Sequence, residues 1–307
     1  MEYISTMEVK ILRFIKKHKV LTILLVFFSF YVFANYTRVV DYEKNTDTSN
    51  PHFMNELYKS DDRIYNDYLD PYEKNMYDLM LTGIRRHQTS INVDLAKMGC
   101  IDYEDCGSFV DAANTALYLD HPELMNYAGY AWSYRNNKFT LIIRYAYMLP
   151  FKDVIGILRT EKVVSDIKNA TKDMTDKEKI IYVYNWMGAN NYYDHIFMYT
   201  SKNQSIYNVF VKGNAVCAGF AKASQIIFSQ IGIKSYLVLG TTGGEHMWNL
   251  VEYNGKYYYF DSTVSVGSDE NSPYHYNGLR QEYMNSYNPH HKGWYPHIEE
   301  TNMFEDI

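Results

Sequence analysis

The sequence predicts an α+β protein, and three stretches carry that expectation. Thr175 and Glu178 form a T-x-x-E capping box ahead of Ile180, Ile181, Val183, Tyr184 and Met187, the apolar spacing of a helix. Residues 217–231 read as a further helix closed by Gly232. Strands follow at 233–239, 246–253 and 256–262, the last two joined by Asn254-Gly255, a pair that tolerates the positive φ of a two-residue hairpin turn.

Composition agrees with a folded chain. Of 307 residues 47% are apolar and 21% charged, the balance of a globular protein and not of a disordered one. A net charge of −6 argues against a nucleic-acid binder, which shows a basic field. Three cysteines are too few for a disulfide-stapled scaffold or a four-thiolate zinc site. Tyrosine is abundant at 32 residues, and no internal repeat is present.

In chain order, Lys10, Arg13, Lys16, Lys17 and Lys19 form a basic segment over residues 1–19. An uncharged run, VLTILLVFFSFYVF, begins at Val20 and extends to about residue 36. Basic flank then apolar run is the pattern of a signal anchor, or of a signal peptide if cleavage follows Val32 and Ala34. A transmembrane helix over 20–36 is the expectation, with the C-terminal bulk outside the cytoplasm. Residues 37–68 are polar and read as a tether.

Residues 69–150 read as a small α+β extension. Asp70-Pro71 opens a helix carrying Met76, Leu79 and Met80, and a second runs from Ser108 until His121-Pro122 stops it. Residues 138–149 alternate as a strand, with Phe139, Leu141, Ile143, Tyr145 and Tyr147 on one side. Cys100 and Cys106 lie in a polar loop where a disulfide ring could close; the alternative is three reduced structural thiols. Residues 151–266 form the core. Residues 267–307 are polar and weakly periodic, and read as a solvated tail.

Chemistry concentrates around the hairpin. If Tyr253 lies opposite Lys256, then Trp248 faces Asp261 and His246 faces Thr263, so His246, Trp248 and Asp261 share one face. A carboxylate there can orient the imidazole. Cys217 stands where a turn feeds a helix, and the dipole's positive end favours a thiolate. A thiolate attacks carbonyl carbon, a histidine moves the proton and a carboxylate orients the histidine.

Residues 215–223, Ala-Val-Cys-Ala-Gly-Phe-Ala-Lys-Ala, resemble the Cys motif of bacterial transglutaminase-like proteins. Residues 245–249 resemble the family's His motif and 259–263 its Asp motif, in the same order. Tyr193-Asp194 and Ser205-Ile206-Tyr207 look like the approach to the cysteine. The extension, with DHPEL at 120–124, is similar to one found ahead of this core in exported Firmicute members.

The resemblance implies a papain-like α+β core, with the nucleophile's helix packed on an antiparallel sheet. Cys217 would be the nucleophile, His246 the general base and acid, and Asp261 the orienting group. The implied reaction is acyl transfer from amides of a protein or peptide substrate at the cell surface, to water or to an amine. Trp248, Gly219 and Val264 become candidates for the pocket wall. Val264 stands where many members carry an aromatic residue, and Ala215 replaces a common glycine.

The rival function is a cell-surface module that binds peptide or cell-wall polymer on the same fold without turnover. Asn249 is expected to secure its strand. His275, His290, His291 and His297 lack cysteine partners and a regular ligand spacing, so neither a metal nor another cofactor is implied.

Overall fold

Polar composition concealed a helix at the start of the described residues. In the computed structural model the described residues are Tyr58, 60–147, 151–196, 200–266 and, with short interruptions, 268–298 and Met303; at 151–154 and Ser201 the backbone alone is described. They fall within one unit, residues 52–307. The basic segment, the apolar run at 20–36 and the tether up to residue 57 lie outside the described residues. Among the described residues no helix is long and apolar enough to cross a membrane.

Helix α1, Arg63–Tyr68, corrects the end of the expected tether. The Asp120 carboxylate accepts from the N–H groups of Ile64 and Tyr65, each at 3.0 Å, and Ile64 is buried. Helix α2, Pro71–Arg85, starts as expected: Asp70 accepts from Tyr72 N and Glu73 N, and Glu73 reaches back to Asp70 N. Its Met76, Tyr77, Met80 and Ile84 enter the core. A short helix α3, Leu95–Met98, is followed by α4, Tyr103–Asp120. Helix α4 begins five residues before the expected Ser108, because Asp102 caps Glu104 N and Asp105 N at 2.9 Å.

Cys100 and Cys106 form a disulfide with a Cα–Cα separation of 5.2 Å, closing the loop ahead of α4 onto its first turn. Closing so short a ring restricts the unfolded chain by about 2 kcal/mol. Replacing both cysteines by alanine is expected to lower the unfolding free energy by about that much in urea titrations. No change would place the disulfide outside the cooperative fold.

Strands β1 (Ser90–Val93), β2 (Tyr127–Arg135) and β3 (Lys138–Tyr145) make an antiparallel sheet in the order β1-β3-β2. Phe139, Leu141 and Ile143 are buried on one face, as their alternation requires. Asn136 and Asn137, at φ 50° and 60°, turn β2 into β3. Strand β2 escaped the sequence reading because a register shift between Tyr127 and Tyr130, with Gly129 at φ 108°, breaks its alternation.

The core follows with helices α5 (Phe151–Thr171) and α6 (Asp176–Asn190), the latter capped by the Thr175–Glu178 box. Short strands β4 (Tyr192–Tyr193) and β5 (Asn214–Ala215) pair in parallel. Helix α7, Cys217–Ile231, is the buried axis of the fold and ends at Gly232, φ 79°. Its Phe220, Ala223, Ile226, Ile227 and Phe228 join the core built with α5 and α6. Ala218 and Ala221 join the core built by the extension. Helix α7 and the extension are thus packed together.

Strands β6 (Ser235–Thr241), β7 (Glu245–Tyr253), β8 (Lys256–Phe260) and β9 (Asn288–Pro289) form an antiparallel sheet in the order β8-β7-β6-β9. The Asn254-Gly255 turn sets Tyr253 opposite Lys256, and the register holds to Asn249 opposite Phe260. There the ladder stops. The Asp261 N–H donates to the Gly278 carbonyl at 2.9 Å, so the expected rungs Trp248–Asp261 and His246–Thr263 do not form. His246 pairs instead with Gly240 of β6.

The segment after residue 267 is not a solvated tail. His275 and Met284 are buried, and β9 extends the sheet. The Tyr184 hydroxyl donates to the His275 carbonyl at 2.7 Å and accepts from Gly278 N at 3.2 Å, fastening the segment to α6. These contacts join distant parts of the chain, which composition alone does not reveal.

Candidate active site

Helix α7 begins at Cys217 with no side-chain cap on its first N–H groups. Helix starts carry such N–H donors and a positive dipole end, both of which suit an anion. The preceding turn is fixed independently. The Val216 N–H donates to the Asn203 carbonyl at 3.0 Å, and Asn203 Nδ2 donates to buried Asp194 Oδ2 at 2.9 Å. Asn214 Nδ2 reaches the same oxygen at 3.2 Å. Cys217 is a free cysteine, partly exposed.

His246 opens toward this helix from β7. Its Nε2 donates to Asp261 Oδ2 at 2.8 Å, and Cys217 lies near enough to the ring to raise its basicity. With Nε2 engaged by the carboxylate, Nδ1 is the nitrogen left to serve sulfur. Burial alone lowers the imidazole's basicity. The hydrogen bonds and charges of Asp261 and Cys217 overturn that and push His246 up to about 10.

Asp261 is buried, which alone raises a carboxyl, yet its partners hold it below the ordinary carboxylate range. His246 comes first among these partners. The Tyr287 hydroxyl donates to the same Oδ2 at 2.7 Å, and the Thr263 N–H donates to Oδ1 at 3.0 Å. Tyr287 also stands edge-on to His246, ring centroids 5.4 Å apart. Nothing in the sequence distinguished it from the other tyrosines, because its segment has no regular periodicity.

The structure thus brings Cys217, His246 and Asp261 into one chain of contacts. It treats the pocket candidates differently. Trp248 is fully buried and stacks beneath His246 at 5.8 Å, a floor for the imidazole and not an open wall. Gly219 is a packing position: a Cβ there would come 2.8 Å from the Ala215 Cβ and 3.0 Å from the Asn203 carbonyl. That close approach corrects its assignment to the pocket. Val264 is half-buried in the turn after Asp261. Asn249 donates to the Ala221 carbonyl at 3.0 Å and to Gln225 Oε1 at 3.3 Å, holding β7 against α7.

The remaining histidines go elsewhere. His275 bonds Ser268 at 2.7 Å and Asn185 at 3.0 Å. Among the described residues no group of three or more His, Cys, Asp or Glu is arranged to hold a metal.

The site sets a cysteine at a helix start near a histidine that is hydrogen-bonded to an aspartate. Residues 161–262, which contain all three side chains, match the family model of the transglutaminase-like superfamily. No curated protein matches the chain. Among solved structures it is similar to a "TGase" at 15% identity, over 59% of this chain and 51% of that one, with a TM-score of 0.34. It is also similar to a "Putative Cysteine Protease from Cytophaga hutchinsonii" at 13% identity, over 45% of this chain and 62% of that one, with a TM-score of 0.31. The chain therefore spans between half and two thirds of the length of these two proteins.

Proposed function

We propose that this protein is a cysteine enzyme that transfers acyl groups from amides of protein or peptide substrates through a thioester on Cys217. The observation that supports it is the His246 ring, hydrogen-bonded to Asp261 at 2.8 Å and raised in basicity by Asp261 and Cys217 together. The Cys217 thiolate attacks the amide carbon, and the carbonyl electron pair moves onto oxygen. As that tetrahedral species collapses, the C–N bond breaks and His246 gives its proton to the departing amine. His246 then takes a proton from water or an amine as it attacks the thioester, which returns the sulfur anion. Tyr287 and Asp261 keep the imidazole aimed throughout. The site works at the cell surface, anchored through residues 20–36.

The test is alkylation of the full chain by iodoacetamide at pH 6. Cys217 is expected to react faster than free cysteine, and His246→Ala to slow it by at least tenfold. Equal rates in wild type and His246→Ala would remove the ion pair and favour a binding module.

A further inference from the structure

A cavity of about 320 Å³ opens beside the far end of helix α7. Its walls come from the last turns of α7, the start of β6, the end of α4 and the chain that enters α1. Ser229 on this wall stands about 18 Å along the helix axis from Cys217, so the cavity is not the reacting centre. Small-molecule sites are concave spaces of this order in which a few polar groups converge.

The lining carries both signs of charge. Arg63 lays its guanidinium carbon 4.4 Å from the centroid of the Tyr236 ring, and Lys234 Nζ lies 5.6 Å from the same centroid. Glu252 answers Lys234 at 3.5 Å. Arg63 donates to the Trp294 carbonyl, and among the described residues no carboxylate side chain is ion-paired with it. A guanidinium spreads five N–H donors in one plane, so a ring face and a single carbonyl leave most of the fork for an anion.

Acceptors share the cavity with these cations. The Gly232 and Ile233 N–H groups both turn back to the Phe228 carbonyl, which ends α7. The last carbonyls of the helix then lack helical donors and carry the negative end of its dipole. Asp61 adds a carboxylate, of which only Oδ1 is used by the Arg63 N–H at 3.2 Å. Gln225 gives the cavity a fixed wall: it is buried, donates to the Ser235 carbonyl at 2.7 Å and accepts from Ser235 Oγ at 3.0 Å.

We propose that this cavity is a second, non-catalytic site for a zwitterionic amino acid or short peptide. Its carboxylate rests on the Arg63 guanidinium, and its ammonium group faces Asp61 and the carbonyl end of α7. A plain anion would leave the acceptors unmet, and a plain cation would leave Arg63 unmet. The proposal stands apart from the acyl-transfer reading, because it uses none of Cys217, His246 and Asp261.

The test is equilibrium dialysis of radiolabelled L-alanyl-L-alanine against the full-length protein, before and after iodoacetamide has blocked Cys217. A single saturable site per chain is expected, unchanged by the alkylation. The N-acetylated dipeptide lacks the ammonium group and the dipeptide amide lacks the carboxylate. Each is expected to compete roughly tenfold less well, the scale of one charge-assisted hydrogen bond. Asp61→Asn keeps an acceptor for the Arg63 N–H, and Arg63→Lys keeps a cation beside Tyr236 without the planar fork. Both are expected to weaken binding by about tenfold. The blocked peptides probe the same contacts in the unmutated protein, where folding of a variant is not at issue. No saturable binding up to about 10 mM, loss of binding on alkylation, or full competition by both blocked peptides overturns the proposal. Inorganic phosphate competing as well as the dipeptide also overturns it, and would leave a simple anion site.

Discussion

Replacing Asp261 with asparagine is expected to slow acylation of Cys217 by p-nitrophenyl acetate by about 10³- to 10⁴-fold, the scale of losing the orienting carboxylate of a triad. Three donors converge on this side chain: His246 Nε2–H and the Tyr287 hydroxyl on Oδ2, and the Thr263 N–H on Oδ1. A carboxylate accepts from all of them, whereas an amide has one acceptor atom. Turned one way, its NH2 group meets the Thr263 N–H; turned the other, it meets the imidazole N–H. The second arrangement drives the ring to the tautomer protonated on Nδ1, which can no longer take a proton there. A loss below fivefold would show that the imidazole is aimed by Trp248 and Tyr287 without the carboxylate.

The same substitution has a signature in stability. His246 is raised to about 10 from an ordinary 6.5, so its contribution is full below 6.5 and is lost as pH climbs through 10. Asp261 is lowered, so its share is present above the ordinary 3.8 and is lost as pH falls through its depressed value. The pair therefore stabilises most between about pH 4 and 6.5. Asp261→Asn removes one charge that raises His246, so the decline in unfolding free energy from pH 6.5 to 10 is expected to shrink in urea titrations.

The parts of the site legible in sequence were those set by local rules. A two-residue turn fixes register, so Asn254-Gly255 sets Tyr253 opposite Lys256 and carries the pairing to Asn249 opposite Phe260. A helix bounded by a turn and a glycine placed Cys217 at its first residue, where it stands. What escaped depends on chain segments distant in sequence. Tyr287 reaches Asp261 across 26 residues of irregular chain. No periodicity encodes such meetings. The hairpin rule also overran its range, since the sheet ends at Phe260 and a loop carbonyl, that of Gly278, takes the next rung. Asp261 nevertheless reaches His246, because a side chain bridges the gap that the backbone leaves.

Glu123→Ala is expected to cost about 3–5 kcal/mol of stability, the scale of stripping one partner from a buried charge. Glu123 is buried in the DHPEL stretch, where its Oε1 meets His121 Nδ1 at 2.7 Å and its charge acts on Lys222. Burial pushes Lys222 down to about 7 from its ordinary 10.5, with Glu123 opposing. The sign is the reverse of that for His246. Between pH 7 and 10.5 the unfolded chain binds a proton at Lys222 that the folded chain has released, so this group makes stability rise with pH. Lys222→Met fills similar volume without a charge and is expected to be most favourable, relative to wild type, below pH 7, with the advantage fading toward pH 10. Urea titrations of both variants at pH 6, 8 and 10 separate these effects. A Glu123→Ala loss under 1 kcal/mol, or a Lys222→Met difference flat across pH, would mean that Lys222 is solvated. The buried charge on the nucleophile's helix would then be unconnected to the extension. If both trends hold, the DHPEL stretch does more than end helix α4: its carboxylate favours the charged form of Lys222 on α7, whose Nζ stands over the Tyr118 ring.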